Sequence, residues 1–171
     1  RAKAEPDYRG CIVNTASMAG ILNAPTMGVY NVSKHAVVSL SETLYQDLKL
    51  VSDQVTASVL CPYFVATGIA NSHRNRPKDL KNDEGPTLSQ LVAQAQTSKA
   101  VSSGKVTAPM IAERVFAAIE ANQFYIFSHP HALSGAGTRM DDIINMRNPT
   151  DPFAERPDIS AMLKAKLPGT E

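Results

Sequence analysis

Tyr30 and Lys34 stand four positions apart in "GVYNVSKHA" (28–36). On a helix that spacing makes them neighbours, with Cβ atoms about 6 Å apart. A phenol beside an ammonium is a candidate acid/base pair. A free phenol titrates near pH 10, too high to exchange protons readily at neutrality, and an adjacent cation favours its charged form. Ser17 lies 13 residues before Tyr30. Its hydroxyl can donate to a substrate oxygen and orient it. Ser17, Tyr30 and Lys34 thus supply an oxyanion partner, a proton donor or acceptor, and the cation that tunes it.

The spacing recurs at Tyr45 and Lys49, in "YQDLK". With five Tyr in the chain, one chance match is expected about one time in four at ordinary lysine frequency. A bare match therefore decides nothing, and position must. Tyr30 falls in the first turn of a helix that follows a strand end and a loop. Tyr45 lies about 22 Å further along that helix, and the residue 13 before it is Val32. Tyr45 and Lys49 read as packing or interface residues.

The elements that must position these residues alternate. "GCIVNTAS" (10–17) is a short apolar, β-branched run, the pattern of a strand buried on both faces. "MAGILNAPTMG" (18–28) reads as a loop. A helix is predicted over 29–50, with Val32, Ala36, Leu40, Leu44 and Leu48 as its apolar stripe, widened by Val29 and Val37. Its second face carries His35, Ser39, Glu42, Tyr45 and Lys49, and is expected to be exposed. "QVTASVLCP" (54–62) is a second buried strand, stopped by Pro62. The polar stretch 68–108 holds one short helix near "LSQLVAQAQ". "APMIAERVFAAIEANQ" (108–123) is an amphipathic helix and "FYIFSHP" (124–130) a third strand. A weaker helix near "RMDDIINM" and a Pro-rich tail complete the chain. Alternating elements of this kind imply an α/β fold with a parallel sheet. Ligands of such sheets bind outside the carboxyl ends of the strands. Here those ends are Ser17, the Pro62–Thr67 turn and "SHP".

Bulk properties narrow the class. The 171 residues amount to one domain, at 43% hydrophobic and 19% charged, which is globular composition. A net charge of +1 implies neither a nucleic-acid partner nor a membrane surface. No apolar run approaches the roughly 20 residues of a membrane span. Cys11 and Cys61 each sit in an apolar run and read as buried free thiols in a reducing, cytoplasmic compartment.

Three motifs together resemble the short-chain dehydrogenase/reductase family: "IVNTAS-MAG", "YNVSK" and "CPYFVAT". They cover residues 10–67, and the later element order fits the family to about residue 130. The resemblance implies the carboxyl-terminal half of a Rossmann-like, doubly wound parallel sheet in three α/β/α layers. It implies a small-molecule alcohol or carbonyl substrate and NAD or NADP as cofactor. By motif, Ser17 would bond the substrate oxygen and Tyr30 would exchange its proton. Lys34 would hold the nicotinamide ribose hydroxyls and tune Tyr30. Pro62, Val65 and Thr67 would line the nicotinamide and its phosphate. Residues 68–108 would form a substrate lid, and 138–171 a terminal helix and tail. Family members commonly assemble through the 29–50 helix, so a homodimer or homotetramer is expected. Epimerase and dehydratase relatives use the same Tyr–Lys pair, and a non-catalytic binding or oligomerisation module is a further reading.

Two departures stand out. Tyr63 occupies a position where the family's turn usually carries Gly, and either packs or walls the substrate pocket. No Gly-rich nucleotide-phosphate turn occurs in the 171 residues. The chain is therefore expected to be one partial domain of a longer active enzyme, and by itself inactive. NADH titration of the isolated chain checks this, and micromolar affinity would refute it. His129 and His131 flank Pro130 without the spacing of a metal site. Arg74, Arg76, Lys78 and Lys81 are offset by Asp79, Asp83 and Glu84 and read as a solvated face.

Overall fold

A computed structural model describes residues 1–81 and 83–166. Among the described residues three parallel strands form the sheet, in the order β1 (Gly10–Thr15), β2 (Val55–Cys61), β3 (Tyr125–Phe127). Gly10 aligns with Val55 and Thr15 with Leu60, while Val59 aligns with Tyr125. The long helix α1 (Gly28–Val51) joins β1 to β2. Helices α2 (Leu88–Ser102) and α3 (Ala108–Glu120) lie between β2 and β3. Alternate residues of β2 feed two cores, as a period of two requires. Val59 and Cys61 pack with Ala16, Met18 and Val38 of α1. Leu60 packs with Val65, Ile126 and the α3 residues Ile111 and Ala118. Helices on both faces of a parallel sheet make the expected α/β/α arrangement.

The helices past residue 68 carry local signals. Two 3-10 turns, Gly68–Asn75 and Lys78–Leu80, precede α2. Thr87 and Gln90 form a reciprocal capping box at the start of α2, which runs six residues beyond "LSQLVAQAQ". Helix α4 (Ser134–Ile144) covers most of the expected weak helix. The tail is more ordered than its prolines suggested. Pro157 opens α5 (Pro157–Lys166), whose Leu163 is buried. Residues 167–171 of that tail lie outside the described residues.

Helix α1 has the expected span, but only part of its predicted stripe turns inward: Val37, Leu44 and Leu48 are half-buried. Val29, Val32 and Leu40 are 89%, 71% and 64% exposed. The buried residues are Asn31, Val38 and Ser41. The face expected to be exposed is divided: Ser39, Glu42 and Lys49 are exposed, while His35 and Tyr45 pack. Tyr45 is half-buried, with its ring edge-on to Phe124 at 5.0 Å, and His35 is half-buried. Glu42 accepts a 2.7 Å hydrogen bond from the Tyr125 hydroxyl. The cause is polar docking. Asn14 Nδ2 donates to Ser41 Oγ at 3.0 Å, and Ser41 donates to the Val37 carbonyl at 2.7 Å. A fully buried Ser must place its hydroxyl on partners, and here one is the helix's own Val37 carbonyl and the other is Asn14 of β1.

Both cysteines are free, but only Cys61 is buried; Cys11 is half-buried. Burial pushes the Cys61 thiol up to about 11, so it is a packing residue rather than a nucleophile.

Candidate active site

The strands point their carboxyl ends to one edge, where the sequence motifs converge. Ser17 follows β1 in extended conformation and caps the 3-10 turn Met18–Gly20, its Oγ accepting from Ala19 N at 3.1 Å. Its hydroxyl donates to the Pro62 carbonyl at 3.3 Å. That is long for an O–H···O bond, so the proton can swing to a competing oxygen at little cost. The same carbonyl accepts Met18 N–H at 2.8 Å. Ser17 and the turn after β2 are thereby tied together.

Tyr30 occupies the first turn of α1 and is 39% exposed. The loop before it, 21–27, is anchored from two sides. Asn31 Nδ2 donates to the Ala24 carbonyl at 2.9 Å, and Arg139 of α4 donates to the Ile21 carbonyl at 3.4 Å. Lys34 Nζ lies 5.7 Å from the Tyr30 ring centroid and donates to the Thr15 carbonyl at 3.3 Å. One ammonium thus joins Tyr30 to the strand end beside Ser17, and two of its three donors are left for a ligand. Gly20 permits this approach. A Cβ there would lie 2.6 Å from the Lys34 carbonyl oxygen and 2.8 Å from Val38 Cγ2.

The "CPYFVAT" turn divides its residues. Pro62 is half-buried and Val65 is 8% exposed within the α3-side core. Thr67 is exposed, and its Oγ1 accepts from Ile69 N at 3.4 Å to cap the Gly68–Asn75 turn. Tyr63 packs with one part of its ring and leaves the rest open. Its ring packs on Phe64 and His129, at 4.3 and 5.8 Å between centroids, yet stays 42% exposed. Burial raises its phenol above the ordinary value. A cavity of about 290 Å³ lies between the Gly68–Asn75 turn and α2, lined by Ile69, His73, Ala93 and Gln94 among others. Arg74, Arg76, Lys78 and Lys81 are all exposed.

Sequence reasoning placed the third strand end on the ligand edge but gave its Ser128 no role. Ser128 is 1% exposed, accepts from Tyr63 N at 2.7 Å, and stands 2.7 Å from His129 Nδ1. Arg114 of α3 donates to the Phe127 and Ser128 carbonyls. The available signal was "SHP" falling on the ligand edge of the sheet. Among the described residues no group of three His, Cys, Asp or Glu side chains is placed to hold a metal.

The sequence model described as "short chain dehydrogenase" matches residues 5–78. A short-chain dehydrogenase/reductase of Burkholderia phymatum, solved in complex with NAD, superposes with a TM-score of 0.83 at 52% identity. The match covers 86% of this chain and 52% of that one. Sequence and fold together match the short-chain dehydrogenase/reductase family. A CLA biosynthesis dehydrogenase/reductase of Lactiplantibacillus plantarum is 34% identical over 122 residues, 70% of this chain and 42% of the relative. A putative short-chain dehydrogenase of Novosphingobium aromaticivorans is 30% identical, with a TM-score of 0.54 over 96% of this chain and 48% of its own. The chain thus spans about half the length of the short-chain dehydrogenases it matches. Among the described residues no helix is long and apolar enough to cross a membrane.

Proposed function

We propose that the protein carrying this chain is an NAD(P)-dependent oxidoreductase that interconverts an alcohol and a carbonyl on a small molecule. Tyr30 gives its phenolic proton to the carbonyl oxygen in reduction and takes the alcohol proton in oxidation. Ser17 turns its hydroxyl from the Pro62 carbonyl to the same substrate oxygen and fixes its direction. The observation that carries the reading is Lys34, whose ammonium bonds the Thr15 carbonyl while lying under the Tyr30 ring. Its positive charge stabilises the phenolate left after proton transfer.

The residues suit the nicotinamide half of the cofactor. Lys34 has two donors left for ribose hydroxyls, and Pro62, Val65 and Thr67 belong to a turn tied to Ser17 at the ligand edge. When bound, the nicotinamide gives a hydride in reduction and accepts one in oxidation. NAD as a ligand of the Burkholderia phymatum relative supports this class of cofactor. Tyr63, with its half-exposed ring, borders the substrate. The free thiols of Cys11 and Cys61 suit a reducing, cytoplasmic compartment.

The exposed stripe Val29, Val32 and Leu40 supports assembly of a homodimer or homotetramer through α1, because contiguous apolar surface of this kind marks interfaces. The catalytic reading is tested with Tyr30→Phe in the protein as expressed from its own gene. Loss of a positioned proton donor should lower kcat by about 10²- to 10⁴-fold, while Tyr45→Phe changes kcat less than about twofold. Equal effects of the two substitutions would remove the basis for choosing Tyr30.

A further inference from the structure

A run of hydrogen bonds crosses all three strand ends in a single direction. Ser17 Oγ donates to the Pro62 carbonyl at 3.3 Å. At the other end of that same peptide, Tyr63 N–H donates to Ser128 Oγ at 2.7 Å. Ser128 Oγ is in turn 2.7 Å from His129 Nδ1. Ser128 is 1% exposed, so its hydroxyl proton needs a protein acceptor. Its oxygen already receives the Tyr63 proton, which leaves His129 Nδ1 to accept. That assigns the tautomer: Nδ1 is bare and Nε2 carries the proton. Donors aligned head to tail polarise one another.

We propose that His129, as the Nε2–H tautomer, is a positioning residue: it anchors the Pro62–Tyr63 peptide through Ser128 and so fixes where the Ser17 oxygen sits. The Ser17 proton itself stays free to turn, because its bond to Pro62 is long. A cationic imidazole cannot serve. It would present Nδ1–H to Ser128, whose own proton would then lose its acceptor, and the grip on the peptide would fail. The groups around His129 oppose that charge. His131 lies 5.6 Å away ring to ring, Arg114 caps the Phe127 and Ser128 carbonyls, and Tyr63 covers an edge. Burial first, then His131 and Arg114, lower the His129 pKa below the ordinary histidine value.

The tautomer is read directly by long-range ¹⁵N–¹H correlation of the histidine rings in the protein as expressed from its own gene. His129 should be neutral and Nε2-protonated at pH 7, and Ser128→Ala should release it to a mixture. A Nδ1–H or imidazolium spectrum, or a tautomer indifferent to Ser128→Ala, overturns the proposal. The kinetic arm rests on the oxidoreductase reading and uses a double-substitution cycle. His129→Phe should lower kcat about tenfold, the worth of one hydrogen bond, with KM within about twofold. In a Ser17→Ala background it should cost nothing more. His129→Asn, whose amide oxygen can accept from Ser128, should recover most of the loss. It also carries the cycle if His129→Phe does not fold. Additive losses overturn the proposal. If no carbonyl is reduced with NADH or NADPH at all, the oxidoreductase reading fails, and the ring spectra still decide the hydrogen-bond run.

Discussion

Gly20 offers the sharpest test of how the site is built. An added Cβ meets the Lys34 carbonyl oxygen at 2.6 Å, and ordinary contact begins near 3.4 Å, so relief requires a movement of 3.4 − 2.6 = 0.8 Å. The obstacle is backbone, so no side chain can swing aside. The Gly20 backbone is not left-handed, which makes the cost steric alone. Overpacking of this kind costs about 1–3 kcal/mol. At about 2–4 °C per kcal/mol, Gly20→Ala should lower Tm by roughly 2–12 °C. The segment pushed aside carries Lys34, and a misplacement near 1 Å costs on the order of 10²-fold in kcat. The control is Gly28→Ala at the start of α1, where a Cβ meets nothing within 4 Å. That change should be neutral or stabilising by about 0.5–1 kcal/mol. Thermal unfolding and kcat are measured on both variants. If Gly20→Ala matched the wild type in both, the close approach would not be what holds Lys34 in place.

Three further outcomes follow from the packing. Ser41→Ala strips the half-buried Asn14 amide of its partner and should cost about 0.5–1.5 kcal/mol in urea unfolding; an unchanged midpoint would mean that α1 is not docked through this bond. The Thr150 N–H and hydroxyl, then Arg147, hold the Asp142 carboxyl below the usual range. A depressed folded pKa gives stability that is present above the unfolded value near 4 and lost as pH falls through the folded one. Asp142→Asn should therefore lower the urea midpoint more at pH 7 than at pH 3, and equal losses would contradict the linkage. Val32→Lys places a charge in the exposed α1 stripe and should reduce the mass of the proposed α1-mediated assembly by light scattering; an unaltered mass would refute assembly through α1.

How much of this was legible depended on whether the signal was local. β1, β2, α1 and α3 each announce themselves by period and by flanking Gly, Pro or polar residues, and their order implies the parallel sheet. What periodicity cannot say is which neighbour covers a face. The α1 stripe Val29, Val32 and Leu40 has helical spacing and is exposed, while the face that docks is built on Asn31, Val38 and Ser41. Its partner Asn14 is 27 residues away, and no pattern within the helix reveals it. The Ser128–His129 contact escaped for the same reason. Its other end, the Tyr63 N–H, lies 65 residues from Ser128, and a backbone donor leaves no trace in residue type.

The two Tyr–Lys pairs make the distinction quantitative. Lys49 Nζ lies 4.7 Å from the Tyr45 ring centroid, closer than Lys34 at 5.7 Å from Tyr30. The cation–ring contact is therefore a property of i,i+4 spacing on any helix. If it alone made a tyrosine an acid/base residue, Tyr45 would be the better candidate. What Tyr30 and Lys34 have in addition is a third element. Lys34 crosses to the Thr15 carbonyl, 19 residues earlier in sequence, beside Ser17 at the ligand edge. Tyr45 instead spends its ring on Phe124. Chemistry needs a proton-transfer group where a ligand can arrive, and in a parallel sheet that place is set by strand ends. The decisive feature is thus the offset from Ser17 to Tyr30, which encodes the length of the loop that brings helix and strand end together.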